Sequence, residues 1–261
     1  MSVKPSQSGS RILAALEKIA QHQPIGVSDL ARLLEDNIAA TQRAIATLAG
    51  EGWIKPARGK PTRWELTAHI HSVAQHAYGS NDLRRRARPV LEELRRDTGE
   101  SVLLNVPEGG KFVVAEVLES PQFLRTVAPV GLIVPSKWSA TSRALLPFMT
   151  LDKQRDYIGH PADAAMRADF VETAARGYVI SKGEVVQGST NIAAPVFEAD
   201  GEPVAAVLIS APDDRACENE YERFGTLALA AARRISRGAG TLHIEQKFAK
   251  KGRRAMAAAP W

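Results

Sequence analysis

The chain has 261 residues, 44% of them hydrophobic, with a formal net charge of +5 and a single cysteine. That length suits two domains, one of roughly 65 and one of roughly 170 residues, and one cysteine excludes an intramolecular disulfide, as expected of a reducing cytoplasm. No apolar run approaches the ~20 residues of a membrane helix, and the polar Met1 to Gly9 lacks the apolar stretch of a secretion signal, so a soluble cytoplasmic protein with no membrane contact is expected.

Residues 10–66 read as a winged helix-turn-helix. The first helix spans Ser10 to Gln21, with Ser10 as cap and Ile12, Leu13, Leu16, Ile19 and Ala20 at three-to-four spacing; Pro24 and Gly26 end it. Ser28 is placed to cap a second helix carrying Leu30, Leu33 and Leu34 inward. After the Glu35-Asp36 corner, Asn37 caps a third, with Ile38, Thr41, Ala44, Ile45 and Leu48 inward and Ala40, Gln42, Arg43 and Thr47 toward solvent or a groove. Trp53 to Lys55 and Thr62 to Leu66 then form two strands around a Pro/Gly turn, and Lys55, Arg58, Lys60 and Arg63 make this hairpin cationic, which suits a phosphate backbone. Charge is uneven along the chain: residues 1–66 hold nine Lys/Arg against six Asp/Glu, residues 239–261 five against one, and the body between them is slightly acidic. A basic head on a near-neutral body fits nucleic acid for the head and a smaller partner for the body.

Residues 67–79 form a linker helix with a stripe of Ile70, Val73, Ala74 and Ala77. His69, His71 and His76 lie there at spacings of two and five, which do not share a helical face, so no metal site is expected. The body, residues 80–238, opens with a helix from Asn81 to Thr98 whose Arg84, Arg85, Arg86 and Arg88 point outward. The period then changes to two. Strands are predicted at Ser101 to Val106, Phe112 to Leu118, Leu124 to Ala128, Tyr178 to Ser181, Asn191 to Glu198 and Val204 to Ser210, with helices at Ser139 to Met149, Asp163 to Arg176 and Glu218 to Ser236. The fold class is therefore α+β, an antiparallel sheet flanked by helices, followed by a basic tail, residues 239–261, of disordered composition.

Along roughly residues 10–238 the chain resembles the IclR (isocitrate lyase regulator) family of transcription factors. The matches are Arg43 to Leu48, similar to the family's R-L-L-x-T-L; Pro135 with Ala144-Leu145-Leu146, similar to P-L-H-A-T-A-x-G-K-A-L-L; Arg176-Gly177-Tyr178; and Ala193-Ala194-Pro195-Val196-Phe197. The resemblance implies homodimers or dimers of dimers on palindromic double-stranded DNA operators, and a GAF/PAS-like C-terminal domain that closes over a small organic effector. Where the family often carries K-S-T at the start of the recognition helix, this chain has Ile38-Ala39-Ala40. Base readout then falls to Thr41, Gln42, Arg43 and Thr47, with Ala39 and Ala40 limited to apolar contact such as a thymine methyl. Carried over residue by residue, the effector positions become Thr126, Val134, Ala140, Thr141, Ser181, Asn191, Leu208 and Ser210, with Ser181 in place of an acid, Asn191 of a cysteine and Leu208 of a serine. Lys137-Trp138 replaces His-Ala, putting a cation and a flat ring near the mouth. These departures point to an effector larger and less polar than glyoxylate or pyruvate, an aromatic or other carboxylic acid or a derivative, with a purely packing role as the alternative for Trp138.

Two other classes compete: a constitutive dimeric DNA-binding protein without effector, and an enzyme fused to a DNA-binding head. Against the enzyme stand the absence of G-x-S-x-G, H-E-x-x-H, G-x-x-x-x-G-K-[ST] and Cys/His clusters, and the acidic Glu218 and Glu220 beside Cys217. No catalytic residue, metal or cofactor is expected.

Overall fold

Helical periodicity and capping fix the first unit. The computed structural model describes residues 4–77 and 82–236, and the chain divides into two compact units at Asn81/Asp82. Helix α1 (Gln7–His22) starts three residues before the expected point, because the Ser6 hydroxyl accepts from the Gly9 N-H and caps it in place of Ser10. Ala15 and Ile19 are its buried positions, and Leu13, expected inward, is exposed. Helix α2 (Val27–Leu33) begins at Gly26 without a side-chain cap, so Ser28 does not serve as one. Glu35, at a φ of 52°, turns the corner, and α3 (Ile38–Gly50) follows, capped as expected by Asn37 Oδ1, which accepts from the Ala40 N-H at 2.8 Å.

Strands β1 (Ile54–Pro56) and β2 (Trp64–Leu66) pair antiparallel, and a bridge between Ile25 and Trp64 ties the hairpin to the helices. The core they share is Ile19, Ile25, Leu30, Ala44, Ile45, Leu48 and Ile54, with Trp53 and Trp64 packed on its edge. Helix α4 (His69–Ala77) starts after Thr67, whose hydroxyl donates to Gly52 O at 2.6 Å and accepts from the His69 N-H.

The second unit is a six-stranded antiparallel sheet in the order β5-β4-β3-β8-β7-β6. Its strands are β3 (Ser101–Glu108), β4 (Lys111–Leu118), β5 (Ile133–Val134), β6 (Val179–Lys182), β7 (Ser189–Phe197) and β8 (Pro203–Pro212). One face carries Val102, Leu104, Ile192, Ala194, Val207 and Ile209 against α5 (Asp82–Thr98) and α9 (Glu218–Ile235). The other carries Leu103, Phe112, Val114, Val179, Ala193, Ala206 and Leu208 against α6 (Ala140–Leu145), a 3-10 turn (Leu146–Phe148) and α8 (Ala164–Arg176). Burial on both faces matches the continuous apolar runs at 192–197 of β7 and 203–209 of β8.

Three expectations are corrected here. The stretch from Leu124 to Ala128 is not a strand; the sheet edge is supplied by Ile133–Val134. Helix α7 (Leu151–Ile158), capped by Thr150, was not anticipated, because only Gln154 of its residues is buried and its apolar stripe is weak. The arginines of α5 do not simply face solvent: Arg84 and Arg88 grip the buried Glu116, and Arg86 pairs with Glu198. The expectation for residues 239–261 lies outside the described residues.

Candidate functional site

The first unit presents one solvent stripe on α3. Ala39, Gln42, Arg43, Ala46 and Thr47 are exposed, at the spacing of a single helical face. Ala40 and Thr41, expected among the base-reading residues, do not belong to it: they are 2% and 0% exposed. Their side chains lie on the packed side of α3, and the Thr41 hydroxyl is spent on Asn37 O at 3.1 Å. Ile38, expected inward, is instead exposed beside the stripe. Ala46 was missed, although the helical period alone places it between Gln42 and Thr47.

On the hairpin, Lys55, Arg58, Lys60 and Arg63 are all exposed. Lys55 is paired with Glu65 at 3.3 Å and Arg63 donates to Pro24 O at 3.3 Å. At the corner before α3, Asp36 accepts from the Asn37 N-H at 2.8 Å and pairs with Arg11. The backbone hydrogen bond from Asn37 comes first among the causes that hold its carboxyl below the ordinary aspartate value, with Arg11 and Arg43 adding to it. His69 stands edge-on to Trp53 with ring centroids 4.6 Å apart.

In the second unit the strand register aligns a row of polar side chains. Ser181 lies opposite Asn191, Asn191 opposite Ser210, and Ser210 opposite Ser101, so four adjacent strands, β6, β7, β8 and β3, each contribute one. Directly opposed residues in antiparallel strands have Cβ atoms about 5 Å apart, so the row is continuous. Thr126 is fixed at its β3 end: its hydroxyl donates to Ser210 O and its own carbonyl accepts from Ser101 Oγ, both at 2.8 Å. The next row on this face is apolar, Val179, Ala193, Leu208, Leu103 and Val117. Above it, Val134, Trp138 and Ala140 pack on the same cluster, and Thr141 is fully buried.

The structure therefore brings Thr126, Ser181, Asn191 and Ser210 into one line and sets Val134, Trp138, Ala140 and Leu208 in the apolar cluster beside it. Trp138 is half-buried at a φ of 62°, a conformation that costs a residue with a Cβ and persists only where surroundings hold it. Lys137 is exposed.

Sequence reasoning missed Glu184. Ser181 stands where an acid was expected to be lost, yet the turn at Gly183 returns the chain so that the Ser181 hydroxyl donates to Glu184 Oε2 at 2.7 Å. Arg143 of α6 donates to both Asp169 oxygens and to Ile180 O, and reaches Glu184 at 3.4 Å, so the acid arrives with a counter-charge. Among the described residues no group of His, Cys, Asp or Glu has the arrangement of a metal site, and no helix is long and apolar enough to cross a membrane.

Residues 75–237 match the family model described as "Bacterial transcriptional regulator IclR C-terminal". The chain belongs to the IclR family. Its C-terminal unit is accordingly the family's effector-binding domain, and the three helices and hairpin of the first unit are consistent with the winged helix-turn-helix of IclR regulators. The transcriptional repressor IclR of Escherichia coli (strain K12) is 24% identical over 244 residues, covering 88% of this chain and 89% of that protein. Among solved structures, an IclR regulator from Alicyclobacillus acidocaldarius superposes with a TM-score of 0.76 at 18% identity, covering 89% and 98% of the two chains. An IclR homologue from Microbacterium hydrocarbonoxydans, solved in complex with 4-hydroxybenzoate, superposes with a TM-score of 0.74 at 20% identity over 88% and 98%. In this IclR regulator Asn191 and Leu208 lie on the sheet face just described, and Trp138 packs against it.

Proposed function

We propose that this protein is a cytoplasmic, operator-binding transcriptional regulator whose DNA affinity is set by an aromatic acid-type effector bound on the α6 face of the C-terminal sheet. The observation that carries the effector is the polar row of Ser101, Ser210, Asn191 and Ser181 lying directly beside an apolar row. Neutral donors in a line can bind a carboxylate, and an adjacent strip of Leu208, Leu103 and Val117 can take a ring. Asn191 and Ser210 are the donors for the acid end, because Ser181 is engaged by Glu184, whose charge opposes a second carboxylate there. The Microbacterium homologue supports this reading, since the same fold there accommodates 4-hydroxybenzoate.

For DNA, the reading stripe is Ala39, Gln42, Arg43, Ala46 and Thr47, with Lys55, Arg58, Lys60 and Arg63 against phosphates. A homodimer or dimer of dimers would place two such heads on half-sites about one helical turn, roughly 34 Å, or a multiple apart. Effector and operator are linked: an acid that prefers one head geometry shifts operator affinity by its differential binding and by no more than that.

Selection of operators from a random duplex pool, repeated with and without aromatic and short aliphatic acids, tests both halves. The expected result is an enriched palindrome whose retention changes with an aromatic acid. No enrichment overturns DNA recognition; enrichment indifferent to every acid makes this a constitutive DNA-binding protein. Thermal stabilisation by pyruvate or glyoxylate alone would overturn the aromatic effector.

A further inference from the structure

One polar atom under α6 is unused. Asn105 on β3 is 1% exposed, its Nδ2 donates to Thr141 Oγ1 at 2.7 Å, and its Oδ1 has no hydrogen-bond partner among the described residues. A buried acceptor that has given up water and gained no donor is a net loss, and native interiors keep such groups where something else supplies the donor. The backbone around it is also irregular. The β3-β4 register shifts between Leu104 and Asn105, so that Ala115 is an extra residue on β4. Bulges of this kind re-aim side chains and concentrate beside binding sites.

The position of Asn105 relates it to the polar row. Ser101 and Asn105 lie four residues apart on one face of the same strand, a span of roughly 13 Å. The Ser101 hydroxyl is already donated to Thr126 O, but Ser210, a donor for the acid end, lies opposite it, and Asn105 stands opposite Ala206, four residues from Ser210 on β8. Between them on this face lies Leu103 with its partner Leu208, while Ala193 lies beyond Leu208 on β7 and Ala206 faces Asn105. A hydrogen bond of about 2.8 Å at each end of that backbone span leaves roughly 7 Å between the polar ends of a ligand lying along the strand. That suits one benzene ring with polar groups in para positions.

We propose that Asn105 is a specificity-determining residue of the effector site, whose Oδ1 accepts a hydrogen bond from a hydroxyl or amino group that the effector carries opposite its carboxylate. This rests on the aromatic-acid reading above and narrows it to ring acids with a distal hydrogen-bond donor.

The test is isothermal titration of the full-length protein with benzoate, 4-hydroxybenzoate, 4-aminobenzoate and 4-methoxybenzoate. The two donors are expected to bind roughly ten- to a hundred-fold more tightly than benzoate or the methoxy acid, the usual consequence of leaving a buried acceptor unpaired. In Asn105→Leu, which keeps the branched shape and removes the orphaned oxygen, that preference is expected to vanish. The wild-type series stands by itself if the variant folds poorly. Benzoate binding without any donor preference, or a preference that survives in Asn105→Leu, overturns the role of Asn105 alone. Binding of none of the four overturns it together with the aromatic-acid reading.

Discussion

Arg43 and Asp36 show how much one side chain's surroundings decide. Arg43 is exposed on the α3 stripe and its guanidinium fork matches the O6/N7 edge of guanine, so Arg43→Ala is expected to weaken a selected operator by about 1–3 kcal/mol and to relax preference at one base pair. Fluorescence anisotropy on the operator and its single-base variants reads this; a loss uniform across sequences would instead make Arg43 a phosphate contact. Asp36, two residues before α3, has a lowered carboxyl pKa chiefly through the Asn37 backbone N-H. A carboxylate depressed in the folded state adds stability above its unfolded pKa, and that stability is lost as pH falls through the lower folded value. The first unit is therefore expected to lose stability from about pH 4 downward, and Asp36→Asn to flatten that limb of a pH-dependent thermal melt. An unaltered limb in the variant would assign the acid sensitivity to other groups.

Between elements, the Arg176-Gly177-Tyr178 sequence works as a connector from α8 to β6. Gly177 closes α8 at a φ of 83°, where a Cβ would also meet Leu229 at 3.3 Å. Arg176 Nε donates to Tyr178 O at 2.9 Å and its guanidinium lies 5.0 Å from the centre of the Tyr178 ring. That ring also presses on α9 at Gly225, where an added Cβ would be 2.2 Å from the ring. Gly225→Ala is accordingly expected to cost about 1–3 kcal/mol by overpacking, read from the urea midpoint; an unchanged midpoint would mean that the ring moves aside freely. On the opposite face, Arg143 joins α6 to α8 through Asp169, with side chains 14% and 13% exposed. Arg143→Ala leaves a buried carboxylate without its cation, a loss of about 3 kcal/mol, whereas Arg143→Met with Asp169→Leu should recover most of it. If the double variant is no more stable than the single one, the pair has a role beyond charge compensation.

For the whole molecule, charge distribution sets how binding should respond to salt. Operator affinity is expected to fall with salt at a slope of about 0.9 for each phosphate neutralised. Removing residues 239–261, with five lysines and arginines against one glutamate, is expected to lower that slope without changing base preference; an unchanged slope would exclude the tail from the DNA. The sequence alone determined most of the element order and the family, because apolar period, caps and turn residues are local: the cap at Asn37, the end of α8 at Arg176 and the long strands β7 and β8 were all legible from neighbours in the chain. It assigned Ala40 and Thr41 to DNA and Leu124 to Ala128 to a strand, because helix phase and sheet edges depend on what packs against them. The return of Glu184 to Ser181 is a local turn at Gly183, whereas only the tertiary structure decided those burials and the grip of Arg84 and Arg88 on Glu116. The alignment of Ser101 with Ser210, Asn191 and Ser181, and the unpaired oxygen of Asn105, belong to the same class, since cross-strand register joins residues up to 109 positions apart and no local pattern encodes it.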